Sequence, residues 1–135
     1  MLIPTRRNKK FDFDKNKALS WHENGPATTA FFNSLSVLFP EGERFFIRSV
    51  RNYQNEIKQY PQLQEAVEAF ISQETIHGRE HDKFNDALDS FENSSFNKKI
   101  DAQAKFFLEG LSKHLTRKQQ LAVTIAIEHF TAILA

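Results

Sequence analysis

Glu74, Thr75, Ile76 and His77 form a Glu-x-x-His pair, and His81 follows four residues after that histidine. At 3.6 residues per helical turn, Glu74, His77 and His81 share one face of a helix. The same face carries Leu63, Val67, Phe70, Ile71, Phe84 and Leu88, so metal-type donors point where a core is expected. Burying a carboxylate without a partner costs several kcal/mol, and a metal ion is the cation that suits glutamate and histidine together.

Two more glutamates sit in apolar stripes. Glu43 falls on one side of a segment with Phe39, Phe46, Ile47 and Val50, and Glu128 is the sole acid in the apolar run 121–135. In di-iron and di-manganese carboxylate bundles, two helices each give a glutamate and two others each give a Glu-x-x-His, all projecting inward. Glutamate bridges two cations while the histidine at i+3 terminates one of them, because that spacing converges on one point. Chain order here gives Glu43, then Glu74 with His77, then Glu128, and a second Glu-x-x-His is missing. Its place is on a helix after Ala135. His81, one turn beyond His77, is read as an additional ligand or as a partner to a bridging carboxylate.

Only 4 glycines and 4 prolines interrupt the chain, and apolar residues recur at three and four, so the fold is expected to be all-α. Residues 1–25 read as an irregular arm with a short turn near 14–19. A helix opens at Pro26 and runs to Phe39, where Pro40 and Gly42 break or kink it, and it restarts over 43–53. A third covers 61–91 and a fourth covers 97–114, burying Ile100, Ala104, Phe107, Leu108 and Leu111. Thr116 and Gln119 have capping-box spacing, so a last helix starts there and runs to the end. It is apolar almost all round and is therefore expected to be central. Ala135 leaves it without a cap, which points to a bundle (26–135) cut from a longer chain or docked on a second copy.

At 135 residues the chain is one domain in size, and 18 basic against 17 acidic residues argue against a nucleic-acid binder. Residues 1–17 are locally basic and read as a solvated or docking arm. Without cysteine, disulfides, thiolate sites and cysteine nucleophiles are all excluded, and the cytoplasm is the default compartment. No run is long enough to span a bilayer, and no signal-peptide core opens the chain.

Three blocks occur in order: Phe39-Pro40-Glu41-Gly42-Glu43-Arg44-Phe45-Phe46, Gln73-Glu74-Thr75-Ile76-His77-Gly78-Arg79-Glu80-His81, and Ala126-Ile127-Glu128-His129-Phe130-Thr131. On these the chain resembles the bacterial predicted metal-dependent hydrolases, over most of its length after Trp21. The resemblance implies a ferritin-like helical bundle of which this chain is the N-terminal half. It also implies a di-metal site on Glu43, Glu74, His77 and Glu128, with His81 as a further ligand. Two divalent ions, iron or manganese ahead of zinc, would then activate water on a small-molecule substrate. A carboxylate-rich site also suits a di-iron oxidase or oxygenase of the same fold. A third reading is a non-catalytic metal-binding module, or one that forms a homodimer through the apolar last helix.

Plainer roles stand beside these. Glu74 and His77 can form a salt-bridged pair capped by Arg44, Arg48 or Arg79. His129 reads as a packing or interface residue, His22 and His114 as solvent-facing, and Glu41 and Glu80 as exposed. Phe31, Phe32, Phe39, Phe45 and Phe46, from a total of 14 phenylalanines, read as core.

Overall fold

Pro26 has its φ pre-set for a first helical turn and no amide to lose there, and Gly25 before it takes a φ of 91° that suits glycine. From this start α1 (Pro26–Arg51) runs unbroken, followed by α2 (Pro61–Asp89), α3 (Ser94–His114) and α4 (Arg117–Leu134). Short 3-10 turns lie at Lys15–Lys17 and Glu56–Gln59. The computed structural model describes residues 3, 5, 7–89 and 94–134. Among these there is no strand, and the all-helical bundle expected from the periodicity is what forms. The expected end of the third helix at Phe91, and the helix end at Ala135, lie outside the described residues.

The break anticipated at Pro40 does not occur. Pro40 has no amide for the Ser36 carbonyl four residues earlier, but the Asn85 side-chain amide of α2 donates to that carbonyl at 3.0 Å. In return the Ser36 hydroxyl donates to Asn85 Oδ1 at 2.8 Å. A neighbouring helix thus satisfies the group the proline orphans, and the helix continues.

All three other helices pack on α1, with α2 making the longest contact. The core is built from Val37, Phe45, Phe46, Ala69, Ala87 and Leu88, with Phe45 wholly inaccessible. α4 is held differently, by polar pairs. Ser49 and Thr124 share a hydrogen bond at 2.8 Å in a buried contact, and Asn52 donates to Gln120 at 3.0 Å. As α1 ascends from 49 to 52, α4 descends from 124 to 120, so the two are antiparallel. The capping box forms as its spacing predicts: the Thr116 amide donates to Gln119 Oε1 at 2.9 Å, and the Gln119 amide donates to Thr116 Oγ1 at 3.4 Å.

Two packing expectations are overturned. α4 is peripheral rather than central: only Gln120 and Thr124 are fully buried, while Ile125, Phe130, Ile133 and Leu134 are exposed. On α3, Phe107 is 64% exposed instead of buried, whereas Ile100, Ala104, Leu108 and Leu111 are half-buried. An apolar composition tells a helix to bury surface, but only as much is covered as there are neighbours to cover it.

The arm before α1 lies along α2. Arg79 donates to Asn8 Oδ1 at 3.0 Å, the Phe11 amide donates to Glu80 Oε2 at 3.0 Å, and Phe13 packs on Phe84 with ring centres 5.1 Å apart. Trp21 then donates to Asn33 Oδ1 at 2.9 Å, and Asn33 donates to the Ala18 carbonyl at 2.9 Å, which ties the arm's end to α1.

Replacing Asn85 with alanine leaves the Ser36 carbonyl unpaired and should lower the unfolding free energy by about 1–3 kcal/mol. Pro40→Ala restores an amide donor, so the double variant should regain part of that loss. Denaturant unfolding of the four-member cycle reads it, and simple additivity would disprove the link.

Candidate metal centre

α1 and α2 approach closely where Glu43 meets Gly78. A Cβ added at Gly78 would stand 2.8 Å from Glu43 Oε2, so a side chain there would force the carboxylate to shift from this crossing. One turn earlier on α2, Glu74 points to the same place, and His77 lies beside both. Donor atoms of Glu43, Glu74 and His77 all fall within 4.8 Å of one another, the geometry of ligands around a single cation. His77 Nδ1 is 3.9 Å from Glu43 Oε1 and 3.9 Å from Glu74 Oε2, too long for direct hydrogen bonds.

Electrostatically the cluster is short of positive charge. Burial, followed by the nearby carboxylate of Glu74, pushes Glu43 up to about 9. Burial and then Glu128 push Glu74 up to about 7. Desolvation also holds His77 below its ordinary value, which favours the neutral imidazole that a metal needs. Glu43 Oε2 is buried with no hydrogen-bond partner. A hard divalent cation fits this set: it supplies the missing charge, occupies the orphaned oxygen, and matches two carboxylates and one imidazole.

The salt-bridged alternative would need an arginine here. Arg44 instead bonds Glu41 at 2.6 Å and Asp82 at 3.3 Å. Arg79 bonds Glu80 at 2.8 Å and reaches the arm. Neither caps Glu74 and His77.

Glu128 lies outside the tight group yet close enough to raise both Glu43 and Glu74, and its own carboxyl is raised by burial. The antiparallel register explains its position. Thr124 is pinned to Ser49, and Glu128 lies one turn further along α4, toward the Glu43 end of α1.

His81 is placed elsewhere. Its Nδ1 is 2.9 Å from Ser36 Oγ, and its ring packs 4.6 Å from that of Phe39. The Ser36 carbonyl can only accept, so the Asn85 amide must face it and Asn85 Oδ1 must take the serine proton. His81 Nδ1–H is then the donor to Ser36, and Nε2 carries the lone pair. Burial, with His77 adding to it, pushes this ring down to about 4, so it is neutral.

Glu41 and Glu80 are buried, contrary to the exposure expected of them, at 7% and 6% accessibility. Partners make this tolerable. Glu41 has Arg44, while Glu80 accepts from the Phe11 amide, Lys83 and Arg79, which hold its carboxyl down to about 2. His114 and His129 are exposed, whereas His22 is half-buried and stacked on Phe32 with ring centres 5.3 Å apart. Two residues of the site escaped the sequence reading. Gly78 carried a signal, since glycine inside a helix costs about 1 kcal/mol against alanine and needs a reason. Gln73 precedes His77 by four residues, the spacing of helical neighbours, and its Nε2 lies 3.2 Å from His77 Nε2.

Gly78→Ala should favour the helix yet displace the Glu43 carboxylate, weakening divalent-ion affinity about ten- to hundredfold. Calorimetric titration with manganese measures it, and an unchanged affinity would remove Glu43 from the site. A second expectation concerns pH. Glu43 and Glu74 have folded values above the ordinary 4.5, whereas His77 and His81 lie below 6.5 and offset them at lower pH, so it is between about pH 6.5 and 9 that the metal-free folded state holds more protons than the unfolded chain. Stability of the metal-free protein should therefore fall as pH rises through that window. Saturating divalent ion, or Glu43→Gln, should flatten the slope in denaturant unfolding.

A family model described as predicted metal-dependent hydrolase matches residues 5–135. No curated protein and no solved structure matches the chain. The match spans nearly the whole sequence and agrees with the metal-ligand chemistry of Glu43, Glu74 and His77. The chain therefore belongs to the predicted metal-dependent hydrolase family.

Proposed function

We propose that this chain carries a carboxylate-bridged di-metal site of ferritin-like type and serves hydrolysis of a small-molecule substrate. One observation carries the reading: two buried glutamates and a neutral histidine converge within 4.8 Å, and one buried carboxylate oxygen has no partner. Glu43 and Glu74 would bridge, His77 would terminate one ion, and Glu128 would serve the second. His81, engaged by Ser36 at Nδ1, retains only Nε2 as a donor to metal. When bound, such ions supply Lewis acidity and lower the pKa of water at neutral pH.

The residues around the ligands have defined tasks. Gln73 orients His77 through Nε2, while Arg44 holds Glu41 and Asp82 at the edge of the cleft. Gly78 admits the carboxylate. A second reading, oxygen chemistry at iron or manganese, is favoured by the donor set, in which carboxylates outnumber imidazole. A third, a metal-binding module that self-associates through α4, is favoured by exposed Ile125, Phe130, Ile133 and Leu134. Among the described residues no helix is long and apolar enough to cross a membrane.

Metal analysis of the purified protein should find divalent ion, with Glu74→Ala and Glu128→Ala each losing most of it. Full retention by both variants would overturn the site. With zinc or manganese loaded, turnover of an ester panel supports hydrolysis. A near-ultraviolet oxo-bridge band after anaerobic iron loading and air supports oxidation instead. A dimer in concentration-dependent mass measurement, without turnover, supports the third reading.

A further inference from the structure

On the other side of His77 from the polar cleft of Glu43 and Glu74, the arm, α1 and α2 line an open cavity of about 830 Å³. Its walls are Phe13, Trp21, Phe32, Phe39, Ile76 and Phe84, and His77 and His81 also line it. Phe32 and Phe39, expected in the core with Phe31, are instead half-buried wall residues, while Phe31 is exposed and only Phe45 and Phe46 are core. These rings keep apolar surface that no side chain of the described residues covers. The volume lies within the usual range for sites that enclose a small molecule.

Charges on the wall balance. Arg7, Lys9 and Lys17 stand against Asp12, Asp14 and Glu80. Lys17 and Asp14 face one another at 4.0 Å, and Glu80 is already saturated by Arg79, Lys83 and the Phe11 amide. Arg7, Lys9 and Asp12 are exposed to solvent, where their charge is screened, so the wall holds no buried cation for a ligand carboxylate or phosphate. His81, with its Nδ1 proton committed to Ser36, offers the cavity only a lone pair, which suits a ligand O–H or N–H.

We propose that this cavity binds an uncharged amphiphile, its acyl or aryl body among the aromatic walls and its polar head at the His77 and His81 end. The inference rests on the metal reading only for why the head should lie beside His77. Filling the cavity requires no metal. The arm is part of the site, since Phe13 and Trp21 supply one wall, and its hydrogen bonds to α2 hold that wall in place.

Trp21 is the sole tryptophan of the chain and lines the cavity, so its emission reports occupancy directly. Chelator-treated protein titrated with decan-1-ol should show a saturable emission change at one equivalent. Decanoate and decyltrimethylammonium, which place a charge at the head, should bind roughly tenfold more weakly or worse, a difference of about 1.4 kcal/mol. Ile76→Arg, which puts a cation on the wall, should weaken decan-1-ol by a similar factor with the helical circular dichroism retained. Phe39→Tyr adds one hydroxyl and repeats the test should that arginine unfold the chain. Several alcohols bound per chain, equal affinity for decanoate, or indifference to both substitutions would each overturn the proposal. Because the titration is made without metal, loss of the metal site in separate ion-binding measurements leaves it standing, and the reverse holds too.

Discussion

Two carboxylates held close together in a buried cluster set the terms for the rest of this structure. At about 4–5 Å and an effective dielectric near 20, two full negative charges repel by roughly 3–4 kcal/mol, before either pays for leaving water. The fold relieves this in the metal-free state by protonation, which is why burial and Glu74 together hold Glu43 at about 9. A proton is a small answer to a large vacancy of charge, since it leaves Glu43 Oε2 without a partner. A divalent ion answers both at once, and would displace the proton as it enters.

Such a cluster persists only if the backbone around it is fixed, and α1 does the fixing. Every other helix packs on it, and polar pairs fix the register of α2 and α4: Ser36 with Asn85, Ser49 with Thr124, Asn52 with Gln120. Apolar surfaces slide past one another at little cost, whereas a buried hydrogen bond exists at one register only. Pro40 belongs to the same scheme. By orphaning the Ser36 carbonyl it creates an acceptor that Asn85 fills, and that contact in turn fixes the tautomer of His81.

Helical periodicity made Glu43, Glu74 and His77 legible, because each repeats its apolar neighbours' spacing and a lone charge in such a stripe stands out. What periodicity cannot see is the neighbour. Pro40 read as a break because its remedy sits at residue 85, far along the chain. Glu41 and Glu80 read as exposed because they lie among charges, yet those very charges, on Arg44, Arg79 and Lys83, are what let them be buried. α4 read as central because its composition is apolar, although the described chain gives it one face to cover. The cavity was invisible for the same reason: Phe13 and Phe84 meet across the arm and α2, and nothing local to Phe32 or Phe39 announces a wall rather than a core.

His77 and His81 differ by one helical turn and by opposite fates. His77 has its Nδ1 toward two carboxylates while its Nε2 accepts from the Gln73 amide, so the neutral ring carries its proton on Nδ1. Holding a metal there would require Gln73 to turn its oxygen to Nε2 and the proton to move to Nε2. His81 spends its Nδ1 proton on Ser36 and rests its ring on Phe39, deep enough to stay neutral. Both line the large cavity, while the glutamates line a smaller polar cleft of about 370 Å³ beside it. One turn of α2 thus separates hard oxygen donors from aromatic walls, with imidazole at the boundary. The proposed hydrolysis would use that separation, with charge stabilised beside the carboxylates and water excluded along the aromatic walls.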